Sequence, residues 1–441
     1  MSAVPSNILH RMLRRVVVVH PHEIRALLWS FAYFFCVLAA YYILRPVRDE
    51  MGVLAGVHKL PWFFFTVFLT MLAVVPLFGW AASCLTIRRL LPTIYLFFIV
   101  NLIGFFIALR TGLTMTALAP VFFVWVSVFN LFIVSVFWSF MADVFSTEGA
   151  RRLFGFISAG GSLGAISGPL FTATAVKGLG VASLLLVSAA LLLAAVGCIL
   201  ALLAWFQEQH GEDLGAKHLL SSQTSSDPPP SLWVGIIRIT QSTYLQAICV
   251  YLVCYSILST FLYSQQTILV PQVVPNSEDR LQLFASFDFA VNVLTVCIQM
   301  FATGRLLTFF GVTAMLVILP LLNILGFGIF GMVTILPVLI GFGILRRAGE
   351  FSITKPTRET LFTVVPRVEK YQAKNVIDTV VHRAGDMTGT WVGSALHAFG
   401  MSISQMSFAA IPIALVWFFT GRFLGRRHEM ILEKQKTEKK H

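Results

Sequence analysis

From Val181 to Phe206 the chain reads VASLLLVSAALLLAAVGCILALLAWF, 26 residues without one charge. A stretch this long and apolar has one stable destination. A helix of about 20 residues, rising 1.5 Å per residue, spans the roughly 30 Å hydrocarbon core of a bilayer. Inside that core each backbone N–H and C=O has to be satisfied within the structure, and a helix does so alone. Comparable runs recur along all 441 residues, without the short alternation of a membrane barrel strand. Composition agrees: 57% of residues are hydrophobic and only 12% are charged, against about 25% charged in a soluble domain. The chain reads as an all-α polytopic membrane protein.

Twelve spans are expected, at 27–45, 60–82, 90–110, 117–142, 153–176, 181–206, 243–270, 281–303, 309–327, 329–346, 372–397 and 403–421. The ninth and tenth divide in the region Gly326–Gly331. With the amino terminus inside, 25 Lys and Arg residues fall on the cytoplasmic side and 6 on the other. Basic residues gather in cytoplasmic loops, so the split supports the count and an orientation with both termini in the cytoplasm. The same rule accounts for the net charge of +12. The basic residues are scattered through short loops and no nucleic-acid motif accompanies them, which argues against DNA or RNA as a partner.

Residues 1–26 read as a cytoplasmic lead-in, with Pro21 and Glu23 opening the first long helix. Residues 207–242 form a polar, Ser/Pro-rich cytoplasmic linker, and 422–441 a solvated basic tail. The segments 27–206 and 243–421 on either side of the linker are almost equal in length. Two six-helix halves joined inside, with both termini inside, is the major facilitator arrangement. No residue-level repeat between the halves stands out.

Charge inside such helices calls for a reason, because an ion at the bilayer centre costs at least roughly 2.5–3.5 kcal/mol. Arg45, Arg48 and Asp49 have i, i+3, i+4 spacing and share a face if the first helix continues past Pro46. They either mark the outer end of that helix or line a polar cavity. In the second case the planar guanidinium forks of Arg45 and Arg48 suit a carboxylate or phosphate, with Asp49 and Glu50 as gate partners. Asp143 closes the fourth span, ahead of Glu148, Arg151 and Arg152, and is either a boundary charge or a gating carboxylate. Gly160, Gly164 and Gly168 line one face of the fifth span ahead of Pro169 and allow close helix contact. Tyr263 and Gln266, near the outer end of the seventh span, are substrate contacts or interfacial polar residues. From Arg346 to Asp386 runs the most charged stretch. Lys355 with Glu359, Arg358, and the opposite charges Arg383 and Asp386 are its candidates for binding or gating. No metal-ligand spacing, cofactor loop or catalytic triad appears, and the six cysteines read as small buried hydrophobes. No enzyme, metal, cofactor or obligate protein partner is expected.

Three blocks then carry a resemblance: YILRPVRDEMG in the first span, the segment Phe137–Phe156 around Asp143 and ARRLFGF, and KPTRETLFTVVP followed by KNVIDTVVHRAGD. Together they resemble the ATP/ADP translocase (nucleotide antiporter) family. The resemblance implies twelve helices of major facilitator type and exchange of nucleotides or other phosphate-bearing anions. It implies that Arg48 and Arg358 stand at basic substrate positions, usually Lys in the family, and Asp143 and Glu359 at acidic ones. Lys355 stands where members tend to have an acid, and Tyr263 or its neighbouring glutamines where members carry a carboxylate. The expectation is a divergent bacterial member that exchanges an organic, phosphate-bearing anion by alternating access, with Arg48 and Arg358 as basic contacts from opposite halves. The residues by themselves leave open a proton-coupled symporter working through Asp49, Asp143 or Asp386, and a membrane scaffold that transports nothing.

Overall fold

The computed structural model describes residues 20–84, 86–210, 232–366, 373–374 and 376–438. The basic lead-in up to residue 19, most of the Ser/Pro-rich linker and Lys370 lie outside them. Among the described residues every regular element is helical. The long helices are α1 (Ile24–Ala55), α2 (Leu60–Cys84), α3 (Ile87–Arg110), α4 (Met115–Val144) and α5 (Thr147–His210). A short amphipathic α6 (Leu232–Gln241) leads to α7 (Thr243–Val273), α8 (Ser277–Ile298) and α9 (Gly304–Met332). Then come α10 (Leu336–Gly349), α11 (Lys355–Leu361), α12 (His382–Ala398) and α13 (Ile403–Glu438). Three wide π turns, Gln299–Thr303, Glu350–Thr354 and Ile377–Val381, join α8 to α9, join α10 to α11 and precede α12.

Among the described residues, seven helical stretches are long and apolar enough to cross a membrane. Two of them, Arg152–Gln209 and Ser277–Met332, run for 58 and 56 residues. At 1.5 Å per residue either is more than twice a bilayer core, and each breaks once. Gly180 (φ 72°, ψ 163°) and Gly311 (φ 74°, ψ 173°) leave the helical region where only glycine does so without strain.

Several expected boundaries move. α1 runs unbroken through Pro46 to Ala55, so Arg45–Glu50 lies within a helix and not at its end. The division expected at Gly326–Gly331 is absent, and α9 continues to Met332 before breaking at 333–335. Those glycines make room: a Cβ at Gly326 would collide with the Phe342 ring, and one at Gly331 would meet Phe408 at 3.0 Å. The break comes where Pro337 opens α10. The charged stretch after Arg346, expected as a loop, stays helical through Val364. The expected tail from 422 continues α13 to Glu438, with His428 only 2% exposed.

The chain divides into two compact units. The first holds Met1–Met51, Ala73–Ser226 and Leu281–Phe289, and the second holds Gly52–Leu72, Asp227–Arg280 and Ala290–His441. In the first, α5 lies against α1 along its glycine stripe. A Cβ at Gly160 or Gly168 would come within 2.5 Å of Phe31 O or 2.7 Å of Ala39 O, and one at Gly164 would strike Phe35 O. In the second, Gly385, Gly389 and Gly393 of α12 meet α7 in the same way: Cβ atoms there would come within 2.7 Å of Ser256 Cβ, 2.6 Å of Ile257 O and 3.1 Å of Ser264. The two units thus share a packing device, three glycines four residues apart set close against a neighbouring helix.

Gly164→Ala therefore forces α5 off α1 and should lower stability by about 1–3 kcal/mol. Gly155→Ala, on a face with nothing within 4 Å, should be neutral or gain up to about 1 kcal/mol of helix propensity. Thermal unfolding of the two variants in detergent measures the difference, and equal midpoints would remove the stripe's role.

Candidate functional site

The first unit concentrates charge on the last third of α1. Arg48 donates to Asp49 Oδ1 through Nη2 (2.7 Å) and Nε (3.1 Å), and its guanidinium lies over the Phe123 ring at 5.3 Å. Arg45 faces Asp288 of α8 at 3.7 Å and stands over Tyr42 at 5.7 Å. Asp288 is 1% exposed, Asp49 5% and Glu50 0%. Four charges, Arg45, Arg48, Asp49 and Asp288, thus form a compact, electrically balanced group, with Glu50 fully buried on the same helix. Low water content makes each charge expensive alone and tolerable in a pair. These charges lie inside a continuous helix and are largely buried.

Asp143 is half-buried near the end of α4. The beginning of α1 is held by a different pair: Arg152 grips Glu23 through two nitrogens, at 2.9 and 3.3 Å. Glu23 also accepts from His20 N at 2.9 Å.

The second unit has its own set. Arg358 is 9% exposed and reaches Asp378 at 3.3 Å. Glu359 pairs with Lys374, and the exposed Lys355, four residues before it, is not the partner that spacing suggests. Arg383 meets Asp386 at 3.2 Å, as the i, i+3 spacing requires. Asp386 also faces His382 at 3.9 Å, and His382 Nδ1 lies 2.7 Å from Ser256 Oγ. Two further buried charges, Arg346 and Glu350, sit on α10 and its π turn, each 5% exposed. The polar residues of α7 divide in their roles. Gln265 is fully buried and donates to Ser407 Oγ at 3.0 Å, Tyr263 lies edge-on to Phe64 at 6.2 Å, and Gln266 is half-buried. Among the described residues no three His, Cys, Asp or Glu side chains gather as metal ligands.

The sequence reading missed Asp288, Arg346 and Glu350. The signal for Asp288 was present: a lone carboxylate in the apolar stretch FASFDFAVNV, the kind of intramembrane ion that usually has a role. Arg346 and Glu350 fall at and just past the expected end of the tenth span, where the structure continues helical.

Folded as they are, these helices resemble those of solved transporters of the major facilitator type. Similar solved structures include a bacterial homologue of the human lysosomal transporter Spinster, inward-facing and unoccupied. It has TM-score 0.58 and 11% identity, over 94% of this chain and 99% of the other. A bacterial homologue of the iron transporter ferroportin, inward-facing, gives TM-score 0.60 and 13% identity over 91% and 98%. The xylose transporter XylE from E. coli, inward-open, gives 0.57 and 13% over 90% and 94%. At such identities the likeness shows the fold alone. No curated protein sequence matches significantly. The model of the family described as TLC ATP/ADP transporter matches residues 119–428. The chain belongs to that family, and it is a multi-pass membrane transporter.

Removing one partner of the pair between α1 and α8 leaves a buried, uncompensated charge, at a cost of roughly 3–5 kcal/mol. Asp288→Ala should thus lower the thermal midpoint sharply. Arg45→Met combined with Asp288→Leu should recover most of the loss. A double variant no more stable than the single would show that the pair does not hold this region.

Proposed function

We propose that the protein is a secondary transporter that exchanges an organic, phosphate-bearing anion of nucleotide type across the inner membrane by alternating access. The observation that carries this reading is the part-burial of Arg48 and the burial of Arg358, each held by a carboxylate, in a chain of the TLC family. Guanidinium stays charged at any relevant pH and presents a planar fork to phosphate oxygens. A neighbouring carboxylate keeps it neutralised while no substrate is bound. Breaking these pairs with no substrate to replace the carboxylate would leave buried, uncompensated charge, which opposes reorientation of the empty carrier and favours exchange over net flow. Arg45, Asp49, Glu50, Asp143, Glu359, Arg383 and Asp386 complete the charge pairs that rearrange with substrate, and Tyr263 and Gln266 offer hydrogen bonds.

In this reading the chain crosses the membrane twelve times. Each broken helix counts as two, and α2, α10 with its following turns, and α12 with its preceding turn count as one each. The excess of basic residues on one side supports cytoplasmic termini.

Vesicles loaded with nucleotides test it. The wild type should exchange external for internal nucleotide, and Arg48→Ala and Arg358→Ala should each lower exchange by about tenfold or more, the scale of a lost charge-assisted contact of about 1.5–3 kcal/mol. Undiminished exchange in both, at normal expression, sinks the assignment.

One observation favours a second reading, proton-coupled symport. Ser256, His382, Asp386 and Arg383 form a connected series of polar and titratable groups. In that case an imposed pH gradient would drive uptake into unloaded vesicles, and Asp386→Asn would abolish it.

A further inference from the structure

Four polar residues follow one another at every fourth position beyond the middle of α10: Arg346, Glu350, Thr354 and Arg358. In an unbroken α-helix each step of four would drift about 40° around the axis, spreading the series over a third of the circumference. The middle step crosses the Glu350–Thr354 π turn. With about 4.4 residues per turn, that step rotates the series back by a similar amount and keeps the four in one stripe. The turn is itself secured from the side: Gln299 Nε2 donates to Phe351 O at 3.0 Å and Thr303 Oγ1 to Ser352 O at 2.8 Å.

All four residues are at least nine-tenths buried, with exposures of 5, 5, 2 and 9%. All four also hold a polar atom in reserve. Arg346 Nε, Glu350 Oε2, Thr354 Oγ1 and Arg358 Nε have no hydrogen-bond partner among the described residues, although Arg358 spends Nη2 on Asp378. Buried polar atoms in native proteins are nearly always satisfied, so four consecutive ones on a stripe mark a place that something polar fills. Arg346, Arg358 and Lys355 surround Glu350 electrostatically, and Arg346, Glu350 and Arg358 also reach Tyr255 of α7. Two guanidinium groups, each with its Nε–H edge open, beside a hydroxyl donor make a receptor for tetrahedral oxyanions.

We propose that this stripe is a phosphate subsite of the second unit, with Arg346 and Thr354 binding phosphate oxygens beside Arg358. Glu350 is the built-in anion whose charge offsets the arginines until a phosphate group takes over that part. The proposal deepens the reading of the protein as a carrier of phosphate-bearing anions and rests on it for the identity of the bound group. It also assigns Glu350 a part that a merely structural carboxylate cannot play: Glu350 competes with the ligand, so its neutralisation strengthens binding.

The test uses the full chain in detergent, with inorganic phosphate and ADP as probes and calorimetry and ligand-induced thermal shift as readouts. Arg346→Gln is expected to weaken phosphate binding by about tenfold or more, Arg346→Lys by less, and Glu350→Gln to tighten it by about tenfold. Thr354→Val keeps the shape of the side chain and guards against misfolding of the charge variants. It should weaken phosphate several-fold with an unchanged elution profile. The subsite is overturned if folded wild type binds no phosphate, if folded Glu350→Gln binds it no more tightly, or if Thr354→Val binds it as wild type does. Failure of the wider reading looks different: phosphate binding would follow the variants as described while wild-type vesicles exchange no nucleotide.

Discussion

A guanidinium cannot shed its proton and cannot stand bare among apolar helices. Most of the internal order of this protein answers that constraint. Arg45 has Asp288, Arg48 has Asp49, Arg358 has Asp378 and Arg383 has Asp386. Three of these pairs join residues no more than 20 apart in the chain, so each unit neutralises much of its charge with local resources. The pair Arg45–Asp288 is the exception. It brings a carboxylate of α8 to the same group of α1 and fixes where those two helices meet. A pair so buried adds little net stability. It sets instead which arrangement of helices is tolerated.

Around the charges, the helices approach by removal of side chains. Hydrocarbon tails are as apolar as leucine, so nothing hydrophobic drives one spanning helix onto another, and contact depends on shape. The glycine stripes of α5 and α12 bring those helices onto the backbones of α1 and α7. These are the helices that carry Arg48 on one side and Tyr255 and Ser256 on the other. Close backbone contact gives the polar groups firm walls, which binding geometry needs.

Fold class was legible in the sequence because apolar runs of spanning length admit few alternatives. Arg48, Asp49 and Arg358 were legible because a charge in such a run is conspicuous, and the family resemblance singled out the same arginines. Two kinds of information were hidden. Partner identity was one: spacing suggested Lys355 for Glu359, while the fold supplies Lys374. Helix boundaries were the other. Gly326 and Gly331 look like a turn in sequence and serve as contact surface in the fold, and the charged residues after Arg346 look like a loop and remain helical. Both errors have one origin. A glycine or a charge signals irregular, solvated backbone only when its neighbours are water, and here they are aromatic rings and other charges.

The last helix shows what this means for the carboxyl end. α13 is 36 residues long, about 54 Å at 1.5 Å per residue, and so outreaches any bilayer core. The surplus does not stand alone. His428 lies against Thr360 O at 3.2 Å, and Gln435 donates to Val364 O at 3.3 Å. The tail therefore works as a splint clamped along the helical turns that follow the Arg346–Arg358 stripe. A load on the carboxyl end, from a fused domain or a bound lipid, would act as a lever on Thr360–Val364 and stiffen or loosen that segment from outside the membrane.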